Sequence, residues 1–169
     1  ARIYVTDLAA YNNGILHGQW LDATQDLDML RDAINAMLKD SPIPNAEEYA
    51  IHDYEGFYGH HVEEYSNIET LHEIACFLEE HSELGGALLK HWCGDLEMAQ
   101  KALKDNYSGI YKSLADYAKE LTESSVEIPA SLEFYIDYEA MARDMDLNGD
   151  VYTLELAYEE VHVFWNRLS

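Results

Sequence analysis

Basic side chains are what this sequence lacks most. Residues 40–89 contain no Lys or Arg, yet twelve Asp and Glu fall there. The whole chain sets 10 Lys and Arg against 33 Asp and Glu, a formal net charge of −23. Such a deficit excludes a protein that holds nucleic acid or anionic membrane by charge, and it implies attraction to cations and basic protein surfaces. Cysteine is scarce: Cys76 and Cys93 are too few for a disulfide framework or a zinc quartet. Cys76 lies within IACFL and Cys93 follows Trp92, so both are expected to be small buried hydrophobes. No basic–apolar leader and no apolar run of membrane length occurs, which makes a reduced, cytoplasmic protein the default expectation. Nucleophile and phosphate-cradling signatures are missing too. Carboxylates are so abundant that no one pair stands out as general acid and base. Neither an enzyme, nor a cofactor, nor a small-molecule substrate is expected.

What is present is enough apolar residue, 48% of 169, to bury a core. IYVTDLAAYNNGILHGQWLDA has two strand-like runs around Asn13-Gly14, a short hairpin signal. A helix follows, with Thr24 as its expected N-cap and Leu27, Leu30, Ile34 and Leu38 at helical spacing. SPIPN breaks it, and EEYAIHDYEGFYG reads as a third strand. From Val62 to Lys104 the pattern is helical: Leu71, Ile74, Ala75 and Leu78 form a stripe opposite Glu69, Glu73 and Glu80. Gly85-Gly86 and Gly94 are expected to divide that region. YSGIYKSLADYAKEL reads as another helix, SSVEIP as a linker, and LEFYIDYEAMARDM as extended and then helical. Asn148-Gly149 looks like a second hairpin turn. The fold class expected is α+β, an elongated chain of three small modules: 1–61 with a sheet and a helix, 62–105 helical, and 106–169 mixed.

Two metal patterns compete with a purely electrostatic reading. DMDLNGDVYTLE, residues 144–155, spells an EF-hand loop, with Asp144, Asp146, Asn148 and Glu155 as ligands and Gly149 at the turn. An acidic calcium-binding module is therefore the alternative function. Arg143 before the loop and the strand-like VHVFW after it favour an acidic segment entering a hairpin. Glu-x-x-His occurs twice, at Glu69/His72 and Glu159/His162, as in di-iron carboxylate sites. The second pair falls in a strand-like run, where i and i+3 point to opposite faces. Thirteen tyrosines also need a reading. Tyr49, Tyr54, Tyr65, Tyr138 and Tyr158 stand beside acids and are expected at half-buried core edges. The functional alternative is aromatic anchors suited to arginine-rich partners.

The acids fall in two territories. One is residues 40–83, comprising Asp40, Glu47, Glu48, Asp53, Glu55, Glu63, Glu64, Glu69, Glu73, Glu79, Glu80 and Glu83. The other is residues 120–160, comprising Glu120, Glu123, Glu127, Glu133, Asp137, Glu139, Asp144, Asp146, Asp150, Glu155, Glu159 and Glu160. Residues 90–119 are near neutral, with five lysines against four acids. Duplex DNA carries one charge per ~1.7 Å, so a charge of 23 corresponds to ~39 Å of helix. A compact chain of this length has a diameter of roughly 40 Å, so it approaches the charge per ångström of DNA. Such a protein could compete with DNA for a basic cleft.

IYVTDLAAYNNGILHGQW, FYIDYEAMARDM and LAYEEVHVFW closely resemble the ArdA antirestriction family, over essentially the whole chain. The resemblance implies a protein of mobile genetic elements that mimics DNA and inhibits type I restriction-modification enzymes at their methyltransferase core. It also implies an elongated three-module monomer and a homodimer joined through C-terminal modules. Tyr111, Leu114, Ile136 and Tyr138 are the candidate dimer contacts. The family's antirestriction motif best matches LEFYIDYEAMARDMD, residues 132–146, which puts Asp144 and Asp146 on an acidic surface rather than in a metal cage.

Overall fold

The computed structural model describes residues 1–166. Within it the chain forms two compact units, one over residues 1–94 and one from residue 95 onward, each built on a three-stranded antiparallel sheet flanked by helices. The fold is α+β. The module limits expected at 61/62 and 105/106 lie inside these two units.

In the first unit β1 (Arg2–Asp7) lies between β2 (Gly18–Asp22) and β3 (Tyr49–Glu55). Period-2 alternation sends Ile3 and Val5 into the core, where Ile3 is opposite Leu21 and Val5 is opposite Ile51. β1 and β2 pair as expected, but Asn13-Gly14 is not a hairpin turn. Asp7 caps a one-turn helix α1 (Leu8–Asn12) by accepting from the Ala10 amide, and Gly14 follows its end at φ 75°. Asp7 is fully buried.

Helix α2 (Leu27–Lys39) buries Leu30, Ile34 and Leu38 as the spacing requires. Its N-cap is Asp26, not Thr24. Asp26 accepts from the Asp28 and Met29 amides, whereas the Thr24 hydroxyl donates to Asp22 at 2.6 Å. Helix α3 (Ile68–His91) buries Leu71, Ile74, Ala75 and Leu78 and starts at Asn67, whose side chain accepts from Glu69 and Thr70 amides. Its break comes at Ser82 (φ 50°, ψ −128°) rather than at Gly85-Gly86, which are buried inside the helix. Gly86 is there for space. A Cβ built on it would collide with the Tyr58 carbonyl oxygen. Gly94 does end the region, with φ 86° and its amide donating to the Leu89 carbonyl at 2.7 Å.

The second unit begins with α4 (Leu96–Lys101) and a π-helical turn over residues 102–106. Residues 107–111 then form β4 rather than the first turns of a helix, and α5 (Leu114–Ser125) follows from its Ser113 cap. Alternation in YSGIY and the left-handed Gly109 (φ 111°) outweigh its helical spacing. After a 3-10 turn at 133–135 comes α6 (Tyr138–Leu147), capped by Asp137. β5 (Val151–Ala157) and β6 (Glu160–Trp165) complete the sheet in the order β4-β6-β5. The hairpin turn is Tyr158-Glu159. Asn148-Gly149 instead closes α6, with their amides donating to Asp144 and Asp146 carbonyls. The core gathers Tyr117, Val151, Val161 and Val163, with Tyr111 and Leu114 packed against it.

Candidate functional site

Amphipathic geometry decides where the acids go. On α3 the buried stripe forces Glu69, Glu73, Glu79, Glu80 and Glu83 outward, and all five are exposed. Glu47, Glu48, Glu63 and Glu64 are exposed in loops, Asp40 at the end of α2, and Asp53 and Glu55 on β3. In the second unit Glu120 and Glu123 are exposed on α5, Glu127, Glu133 and Asp137 between helices, and Glu139, Asp144 and Asp146 on α6. Asp150, Glu155 and Glu159 are exposed around β5. Glu160 alone of these acids is half-buried.

Sequence reasoning missed Asp26, Asp28 and Asp32, which are exposed at and along α2. The i, i+4 spacing of Asp28 and Asp32 on one helical face was the available signal. Local bonds give some acids a structural duty as well. Asp137 accepts from the Ala140 amide at 3.0 Å, and Asp22 is held below its usual carboxylate range by hydrogen bonds from Thr24.

Few cations offset this surface. Arg2 pairs with Glu55, and Arg31 with Glu69 at 3.5 Å. The Arg2 guanidinium also lies over the Trp20 ring, 5.2 Å from its centroid, which fixes it on the sheet. Histidines stand near other acids: His52 by Glu64 at 3.2 Å, His61 by Glu63 at 3.8 Å, His81 by Glu80 at 3.7 Å and His162 by Glu160 at 3.3 Å. Burial pushes His60 and His91 down, so both are neutral at pH 7.

The cysteines do not match their expected burial. Cys93 is exposed in a left-handed conformation (φ 55°), because it occupies the turn that ends α3. Cys76 is half-buried, with Sγ 3.7 Å from His72 Nε2. His72 Nδ1 donates to the Ala23 carbonyl at 2.9 Å, so Nε2 presents a lone pair to the thiol. Burial, then Glu79 and Asp22, push the Cys76 thiol up and keep it protonated. The two Glu-x-x-His pairs do not meet a common geometry. Glu69 and His72 share α3, but Glu159 is in a turn and His162 is buried on β6, bonded to the Tyr107 hydroxyl.

One groove opens in the first unit, about 1110 Å³ in volume, between the 58–70 segment and the second half of α3. In the second unit Val126, Leu132, Phe134 (91%) and Tyr135 (85%) are exposed within 126–135, and Ile110, Leu147 and Tyr158 are exposed elsewhere.

A family model described as "Antirestriction protein (ArdA)" matches residues 3–160. The chain belongs to the ArdA antirestriction family. No curated protein matches it. The ArdA match spans the acidic face of α3, the groove and the 132–146 segment alike. That segment forms the 3-10 turn and nearly all of α6. Asp144 and Asp146 are therefore helical residues. An EF-hand needs them in a loop that wraps its ion, and the chain leaves α6 into a β-hairpin rather than a second helix. Among the described residues no three His, Cys, Asp or Glu side chains converge to hold a metal. Of the tyrosines beside acids, Tyr49, Tyr54 and Tyr138 are half-buried as expected, whereas Tyr65 and Tyr158 are exposed. Of the candidate dimer residues, Tyr111 and Leu114 pack on their own core, and Ile136 and Tyr138 are half-buried beside the exposed Phe134 and Tyr135. Among the described residues no helix is long and apolar enough to cross a membrane.

Proposed function

We propose that this ArdA-family chain is a DNA mimic that occupies the DNA-binding groove of a type I restriction-modification enzyme. It acts in the cytoplasm, binds the methyltransferase core, blocks cleavage and modification together, and performs no catalysis itself. One observation carries the reading: the acids of both territories, Glu160 apart, are exposed, and the chain sets 10 Lys and Arg against 33 Asp and Glu. A basic cleft that grips phosphates through Lys and Arg meets a carboxylate surface with the same chemistry, salt bonds plus released counterions. Self-repulsion from a net charge of −23 costs stability, and a use for that charge offsets the cost.

The mimic needs length as well as charge, because a groove is followed only by an extended body. In this reading three modules lie in series, and a homodimer doubles the row. Phe134 and Tyr135, flanked by Ile136 and Tyr138, supply the apolar surface for dimerisation near the C-terminal core where Tyr111 and Leu114 sit. Small-angle scattering tests the shape directly, and a round particle ends the idea.

The decisive experiment is displacement of a DNA oligonucleotide from a type I methyltransferase by the purified protein. Displacement should be strong at low salt and weaken steeply as salt rises. An inhibition constant that is the same at both would reject mimicry.

A further inference from the structure

The groove beside α3 has features that a string of phosphates does not have. Its floor is apolar, formed by Leu71, Ile74 and Leu89. Its rim carries two exposed rings, Tyr58 and Tyr65, the second 72% exposed, together with the carboxylates Glu63 and Glu83. Its lining also carries Lys90, His60 and His61: burial pushes His60 down, and His61 lies 3.8 Å from Glu63. Residues 40–89 around it contain no Lys or Arg, so the neighbourhood is anionic well beyond the rim.

The backbone around the groove is held in costly conformations. Tyr58 (φ 49°), Ser82 (φ 50°) and Cys93 (φ 55°) are left-handed non-glycine residues, and they stand at or next to its lining. Gly86 lets the Tyr58 carbonyl approach α3 so closely that no side chain fits between them. Strain of this kind persists only where surrounding packing over-determines it, and it gathers at binding sites.

An apolar floor, an aromatic rim and two carboxylates are the complement of an arginine or lysine side chain, which has an aliphatic stem and a cationic head. At about 1110 Å³ the groove exceeds the usual small-ligand range of ~300–1,000 Å³, which suits a side chain together with the segment that bears it. We infer that this groove anchors a basic segment from the DNA-binding surface of the restriction enzyme, seating one arginine or lysine between Tyr58, Tyr65, Glu63 and Glu83. The inference rests on the proposed mimicry and adds to it an aromatic contact that salt screens far less than it screens the carboxylates. Distributed carboxylates set the rate and reach of encounter, and the anchor sets residence time.

Two measurements test it. In inhibition assays with the full-length protein, Tyr65→Ala should weaken binding about tenfold at low and high salt alike, leaving the salt slope unchanged. Glu63→Gln with Glu83→Gln should weaken binding and lower the slope. In a nuclear magnetic resonance titration, N-acetyl-arginine amide should shift the amides of Tyr65, Asn67 and Thr70, and the uncharged N-acetyl-citrulline amide should not. Equal shifts from both compounds, or none from either, overturn the anchor whatever the inhibition shows. Tyr65→Ala at wild-type affinity overturns it as well. Arginine-specific shifts together with salt-independent inhibition would instead sink mimicry, and the assigned partner with it.

Discussion

The Tyr107 hydroxyl and His162 Nδ1 are 2.6 Å apart across the paired strands β4 and β6. His162 is buried, and its Nε2 faces a Glu160 carboxylate oxygen at 3.3 Å. A carboxylate accepts, so Nε2 carries the proton and Nδ1 accepts from Tyr107. Both ring nitrogens are thereby satisfied inside the second core. Tyr107→Phe orphans Nδ1 and should cost about 1–2 kcal/mol, read as a lower melting temperature. Unchanged thermal stability in this variant would show that the bond contributes nothing.

Tyr111 should be among the last tyrosines to ionise. A side-chain hydrogen bond with Glu120 pushes it up to about 12, with burial adding to the effect. Its hydroxyl also lies 3.5 Å from the Ser108 carbonyl, a weaker acceptor than the carboxylate. The folded state holds this proton more tightly than the unfolded chain. Its stabilisation is therefore complete below about 10, the unfolded value, and lost as pH rises through about 12. Spectrophotometric titration should resolve a late tyrosine, and Glu120→Ala should return it toward ordinary behaviour. A titration curve identical in the variant counts against that bond.

Much of this was legible in the sequence because burial follows period. The stripe Leu71, Ile74, Ala75 and Leu78 fixed α3 and, by exclusion, put Glu69, Glu73 and Glu80 in water. Turn chemistry was less transparent. Asn-Gly suits a hairpin, yet Gly14 and Gly149 each follow the end of a helix, because a left-handed residue serves both purposes. Gly85-Gly86 read as a break, whereas Gly86 is small so that Tyr58 can approach. The strain at Ser82 had no signal at all, since serine is an ordinary residue until packing places it at φ 50°. The groove was equally hidden: Glu63, Tyr65, Leu71, Ile74 and Glu83 each stood out in the sequence, but nothing in their pattern says that residues 58–74 and 83–94 enclose one cavity.

Ser82→Gly should stabilise the protein. At φ 50° and ψ −128° serine sits where glycine is at home, a strain of about 1–3 kcal/mol. Glycine's extra freedom in the unfolded chain takes back part, leaving a gain of roughly 1 kcal/mol. Denaturant unfolding measures it, and a loss of stability would mean that the Ser82 side chain has a role its backbone does not reveal.

Phe134→Ser combined with Tyr135→Ser should leave the unfolding free energy within about 0.5 kcal/mol, because both rings already face solvent. The same pair should turn a dimer into a monomer in sedimentation velocity and weaken inhibition. Dimers that persist in this variant would move the interface elsewhere.

The carboxylate row on α3 gives a prediction with two signs. Converting Glu69, Glu73, Glu79 and Glu80 together to Gln should reduce low-salt inhibition by about ten- to a hundredfold, whereas each single change should cost less than about fivefold, as for exposed charges. Near 1 M salt, where the Debye length is about 3 Å, the quadruple variant and the parent should converge. Within the row Glu69 differs, because Arg31 lies 3.5 Å from it and already offsets its charge. Glu69→Gln should therefore weaken inhibition less than Glu73→Gln. Arg31→Ala, which removes a cation and bares Glu69, should tighten inhibition at low salt. Mere loss of surface structure would weaken binding in every variant; only recognition of negative charge makes one substitution improve it.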